Sequence, residues 1–227
     1  MGNEHTYKPF DTDIARLRSA VTVMGGLVER QIERAVDAAL HRDLEKVAQV
    51  LTDEASVNQL HLETDLRCNQ VIAKRQPIAI DLREVIAVIH MINDLERIGD
   101  EAKKIAKKVR DIINTEPQVS PERVRLMSDL VVEMLRRAID AFVRQDSEAA
   151  RAVVARDEEV DALRDELTAV LMERITQDKV PVAPALTMIF MVQSIERIGD
   201  HAKNIAEFVV HIVDGIDLRY QGSRAKT

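Results

Sequence analysis

LERIGDEAKKIA at residues 95–106 returns as IERIGDHAKNIA at residues 195–206, with nine of the twelve positions identical. Self-similarity at a fixed offset is the mark of an internal duplication, and matches upstream extend it. AVDAALHRDLEKVAQVLTDE (35–54) lies over AIDAFVRQDSEAARAVVARD (138–157) without a gap, and QPIA (76–79) is answered by VPVA (180–183). Three matched segments in the same order predict two copies of one unit. The first spans residues 1–115 and the second 116–227, with a short polar tail beyond Gly215.

Each copy reads as three helices. In the first, Ile14, Leu17, Val21, Met24, Val28, Ile32 and Val36 recur at spacings of three and four, which predicts a helix from about Asp11 to His41. Asp43 is suited to cap a second helix reaching about Arg75. Pro77 ends it, because the residue before a proline is pushed out of helical geometry. Asp81 opens a third, whose stripe of Val85, Val88, Ile92, Leu95, Gly99, Ala102, Ala106 and Val109 keeps the four-three rhythm of an antiparallel bundle seam. Residues 114–120 break the pattern. Ser120-Pro121-Glu122 then supplies a cap, a proline at the first helical position and an acid at the positive end of the dipole. Helix four follows, then helix five from about Ser147, a turn around Val180–Pro184 and helix six to about Asp214. The expected fold is all-α: two tandem three-helix bundles, six helices in all.

Composition agrees. Hydrophobic residues make up 46% of the 227 and aromatics only 3%, so the core must be built from aliphatic side chains and Met. Seven Gly and six Pro are too few for a turn-dense β-sandwich. A single cysteine, Cys68, excludes an internal disulfide and a four-cysteine zinc site and fits a reducing compartment. The apolar runs are too short to span a bilayer, and the first residues lack an apolar signal segment. They do match the short, permissive myristoylation pattern through Gly2 and Thr6. A net charge of -7 argues against a general nucleic-acid binder.

The duplicated ERIGD carries the candidate chemistry. Glu96 with Asp100, and Glu196 with Asp200, stand four apart, which sets two carboxylates on one helix face with Cβ atoms about 5–6 Å apart. The second helices offer Glu54 with Asn58, and Asp157 with Asp161, at equivalent places. Antiparallel packing would let oxygen ligands from both helices converge on a cation. Oxygen-only sets suit Mg, Mn, Ca or oxidised iron better than a structural zinc. The alternative is that these acids pair with arginine and lysine on a wet face, Arg97 and Lys103 being near enough. Gly99 and Gly199 each cost about 1 kcal/mol relative to alanine inside a helix. Their return implies a close helix approach or backbone access beside the acids. Lys103, Lys104, Lys107, Lys108 and Arg110 form a basic strip expected to face solvent, or else an acidic partner or an anionic membrane surface.

No catalytic constellation accompanies the acids. No histidine has a glutamate three positions before it, as ferritin-like oxidases require, and there is no phosphate loop, nucleophile elbow or zinc-protease motif. Cys68 is expected to be a buried structural residue. Catalytic residues are therefore expected to be none. A carboxylate-bridged, ferritin-like metalloprotein or metalloenzyme stands as the alternative.

The doubled ERIGD, together with AKRQPIAIDLR (73–83), MGGLVERQ (24–31) and SIERIGDHAKNIAEFV (194–209), resembles the PhoU family of phosphate-uptake regulators over almost the whole chain. The resemblance implies two three-helix bundles side by side, a cytoplasmic location and a homodimer. It implies bound divalent or trivalent metal ions (Mg, Mn, Fe or Zn), singly or in clusters, at Glu96/Asp100, Glu196/Asp200 and Asp157/Asp161. Asn58 departs from the acidic pattern, which weakens the first cluster. The implied function is an adaptor between a phosphate ABC transporter, through its ATPase, and a sensor histidine kinase. In that role it holds the phosphate-starvation response off when phosphate is plentiful.

Overall fold

The computed structural model describes residues 8–218, with side chains from residue 10. The Gly2–Thr6 pattern and the end of the polar tail lie outside the described residues. The helices are α1 (Lys8–His41), α2 (Leu44–Arg75), α3 (Ala79–Ile112), α4 (Pro121–Arg144), α5 (Ser147–Ala155), α6 (Asp157–Thr176) and α7 (Val182–Asp214). The chain is all-α. The six expected rods are present, and the fifth is divided into α5 and α6.

The division falls at Arg156. Its N–H bonds Val153 O at 3.0 Å, and Glu159 N–H bonds Arg156 O at 3.0 Å. Both bonds reach back three residues where an α-helix reaches four, so the turn tightens. The guanidinium is drawn toward α4, where it meets Glu133 at 2.8 Å. That partner lies far away in sequence, which is why periodicity alone predicts one continuous helix.

The turn chemistry repeats with the duplication. Arg42 and Gln145, 103 positions apart, both take left-handed backbone (φ 60° and 53°) just past α1 and α4. Each is followed by an aspartate cap: Asp43 accepts from the N–H groups of Glu45 and Lys46, and Asp146 from that of Ala149. The Ser120 hydroxyl accepts from Arg123 N–H, with Pro121 first in the helix. Past Pro77 the extended Ile78 leads straight into α3, which therefore starts at Ala79 and holds Asp81 in its first turn.

α1, α2 and α3 pack on one another, as do α4, α5, α6 and α7. The two sets meet along α3 and α7 at the centre, and along α1 and α4. One continuous aliphatic core runs through both. Each Leu, Ile or Met buried there contributes about 1.5–3 kcal/mol. Gly25 lets α1 lie close against α4, since a Cβ there would stand 2.1 Å from Ile139 Cδ1. Among the described residues no helix is long and apolar enough to cross a membrane.

Candidate functional site

The acidic residues of each copy gather where the second rod of that copy lies against its ERIGD helix. In the first copy Glu54 is 5% exposed, and its carboxylate is fully engaged. Gln31 Nε2, from α1, donates to Oε2 at 2.9 Å, while Lys103 Nζ donates to Oε1 at 3.0 Å. The same ammonium reaches Asp100 Oδ1 at 2.7 Å, and Asn58 Nδ2 points at Glu54 Oε1 from 3.4 Å. The Lys103 hydrogen bond holds the Asp100 carboxyl below the usual carboxylate range, despite burial. Asp100 and then Glu54 in turn push the Lys103 ammonium up. Glu96 lies half-buried one turn before Asp100. Lys103 thus leaves the expected solvent-facing strip and supplies the first cluster with a cation of its own.

The second copy is built differently. The buried Asp157 accepts from Lys203 Nζ at 2.5 Å. Arg164 spans two helices, with Nη2 3.2 Å from Asp161 Oδ1 and Nη1 3.1 Å from Glu196 Oε1. At the offset of 103, Arg164 replaces His61 and Met134 replaces Gln31. His61 meets Asn93 Oδ1 at 2.9 Å instead. Burial, followed by the charge of Asp200, pushes the Glu196 carboxyl up. Burial, followed by the charge of Asp157, does the same to Asp200. Four carboxylates crowd here, and each of these two acids is raised where Asp100 is lowered.

This donor chemistry fits a hard cation in the second cluster, because every oxygen is anionic and two of the four are ionised against mutual repulsion. The fit is poorer in the first, where Asn58 stands in place of the acid Asp161 and turns its amide nitrogen toward Glu54; lysine ammoniums contact the acids in both clusters. Among the described residues, no three His, Cys, Asp or Glu side chains converge tightly enough as placed to ligate one ion. The acids are splayed onto Lys103, Arg164 and Lys203.

The recurrent glycines serve close packing. A Cβ on Gly199 would sit 3.3 Å from methyls of both Val131 and Val160. On Gly99 it would meet Gln31 Oε1 at 3.0 Å and Glu54 Oε2 at 3.1 Å, so this glycine also makes room for the buried polar pair. Cys68 is buried and its thiol is pushed up to about 12, chiefly by burial, which disfavours the thiolate form that acts as nucleophile.

A second polar set, not expected from the sequence, joins the halves. Asp94 on α3 accepts from Asn204 at 3.3 Å and lies 2.8 Å from His201 Nδ1, both on α7. Glu101 on α3 takes Lys104 at 2.7 Å and Arg197 at 3.7 Å. Arg197 thus pairs with a carboxylate of the other half. A signal was present. The twelve-residue repeat differs at three positions, and two of them, 101/201 and 104/204, supply this network.

The family model described as the PhoU domain matches residues 21–109 and 124–209. A phosphate-specific transport system accessory protein, a PhoU homolog from Pseudomonas putida, is 38% identical over 231 residues, covering 98% of this chain and 88% of the relative. The crystal structure of PhoU from Pseudomonas aeruginosa superposes with a TM-score of 0.87 at 36% identity, covering 91% of this chain and all of that one. That of the phosphate transport system regulatory protein PhoU from Streptococcus pneumoniae gives 0.85 at 26% identity, covering 92% and 99%. Two matched domains, one on each half of the repeat, and relatives similar from end to end establish that the chain belongs to the PhoU family.

Proposed function

We propose that this chain is a regulatory adaptor of a phosphate-specific transport system and not an enzyme. It acts on the cytoplasmic side, pairs with a second copy of itself, and links a phosphate ABC transporter to a sensor histidine kinase. In phosphate plenty it holds the starvation response off. The observation that carries this reading is the similarity, over nearly the full length of both chains, to a relative described as an accessory protein of that transport system. The paired polar clusters add support, because they present related but unequal faces in the two copies.

The second cluster is the cation site in this proposal. Asp157, Asp161, Glu196 and Asp200 would hold a hard ion such as Mg, Mn or oxidised iron, with Arg164 and Lys203 displaced outward. An ion there would neutralise the crowded carboxylates and tie α6 to α7. Glu54, Asn58, Glu96 and Asp100 would hold one less readily, because the neutral Asn58 stands where the second cluster has Asp161.

Deleting the gene in its host, grown in rich phosphate, tests the adaptor reading. Expression of the phosphate-uptake genes is expected to rise severalfold. Expression unchanged from the parent strain would sink the reading.

A further inference from the structure

The crossing of α3 and α7 is roughly two-fold symmetric, since positions in the two helices correspond at an offset of 100. Position 90 with 208 at one end therefore answers 190 with 108 at the other. At the first end His90 stacks on Phe208, centroids 4.9 Å apart and planes 7° from parallel. Phe208 is only 6% exposed. At the second end the aromatic is Phe190 and its neighbour is Lys108, whose Nζ stands 5.8 Å from the ring centroid. Phe190 is 54% exposed, and Leu186 one turn earlier is 42% exposed. The same site is closed by a flat ring at one end and left open at the other.

What surrounds the open ring is cationic. Phe190, Lys104, Lys108 and Arg197 line one cleft of about 290 Å³ between α3 and α7, with Gln193 as a further polar wall. Lys104 and Arg197 share the single carboxylate Glu101, and Lys108 shares Asp111 at 3.2 Å. Three cations over two anions leave the cleft net positive. An exposed aromatic rimmed by under-neutralised cations selects a ligand that is apolar at its centre and acidic at its edge. Because the cleft is concave, a side chain can enter it where a flat bilayer cannot.

We propose that the cleft at Phe190 docks an acidic amphipathic segment of a partner protein. An apolar or aromatic side chain of that segment covers the Phe190 ring, as His90 covers Phe208, and flanking carboxylates meet Lys104, Lys108 and Arg197. This deepens the adaptor reading and rests on it, yet its test needs neither transporter nor kinase, so either can fail alone.

Selection of random-sequence displayed peptides on the full chain tests it. Recovered peptides are expected to combine Phe, Leu or Trp with Asp or Glu. A synthetic peptide carrying the recovered sequence should bind Phe190→Ala about tenfold more weakly than the native chain. Lys108→Gln keeps the ring and removes one charge, and should weaken binding and flatten its salt dependence. Peptides without acidic residues, or binding untouched by both variants, would overturn the proposal. So would Phe190-dependent binding to phosphatidylserine vesicles with no peptide recovered, which would assign the patch to a membrane.

Discussion

His201 on α7 lies with its Nδ1 2.8 Å from Oδ1 of Asp94 on α3, so a buried polar contact stitches the second half of the chain to the first. Asn204 adds a second donor to the same oxygen. The halves are thus joined by directional bonds as well as by a shared aliphatic core, and the bonds fix the register of α3 against α7.

Asp94→Ala should therefore be costly. It leaves His201 and Asn204 facing a partner that is gone, in a mostly buried site, at about 1–3 kcal/mol. Urea denaturation followed by circular dichroism would read the loss, and an unmoved midpoint would remove Asp94 from the interface account.

The two acidic clusters should respond to neutralisation with opposite signs. Asp100 is held down by Lys103, so its stabilisation is complete above the ordinary carboxylate range and fades as pH falls through its lowered value. Glu196 and Asp200 are pushed up, so the folded chain holds their protons more tightly than the unfolded chain. Their ionisation costs stability as pH rises through the raised values, and below the ordinary range that cost disappears. At neutral pH, Asp100→Asn should destabilise and Asp200→Asn should stabilise. Both side chains are partly solvent-screened, so each change should be a few tenths to about 1 kcal/mol. Shifts of the same sign would contradict the assignment.

Added Mn or Mg should raise the thermal midpoint of the native chain through the second cluster. Stabilisation by a ligand grows as its concentration exceeds the dissociation constant, reaching about 2.7 kcal/mol at a hundredfold excess. Glu196→Gln/Asp200→Asn should abolish the rise, while Asp100→Asn should leave it in place. A native midpoint indifferent to either ion, checked against a chelator control, would end the cation proposal.

Alanine at the two recurrent glycines should separate their roles. The exchange gains about 1 kcal/mol of helix propensity at either position. At Gly199 the new methyl meets valine methyls at 3.3 Å, which can yield slightly. At Gly99 it presses on the oxygens of Gln31 and Glu54, whose hydrogen bond is buried. Gly99→Ala should cost about 1–3 kcal/mol and Gly199→Ala clearly less. Equal denaturation midpoints for the two variants would show that the buried pair has no such constraint.

The rods and their ends could be read from local chemistry. The duplication set their number, Asp43 and Ser120 announced their starts, and Pro77 announced a stop. The interruption at Arg156 could not be read this way, because the periodicity runs on through it and the residue that draws Arg156 aside is Glu133 on another helix. The acids show the same division. Spacing placed Glu96 with Asp100, and Glu196 with Asp200, on one face each. It could not say that Lys103 would fold inward to Glu54, or that Arg164 would bridge Asp161 and Glu196. Those contacts are chosen by which long side chain a neighbouring helix brings within reach. Asp94 and His201 belong to different copies, so only the packing of α3 on α7 could pair them.

The break at Arg156 makes the second rods of the two copies unequal in build. In the first half α2 runs unbroken past Glu54 for 32 residues. In the second half the nine residues of α5 end just before Arg156, and α6 begins at Asp157. Asp157, the first residue beyond that break, is lashed to α7 through Lys203. The interruption therefore falls beside the four crowded carboxylates of the second cluster, and the first copy has no counterpart to it.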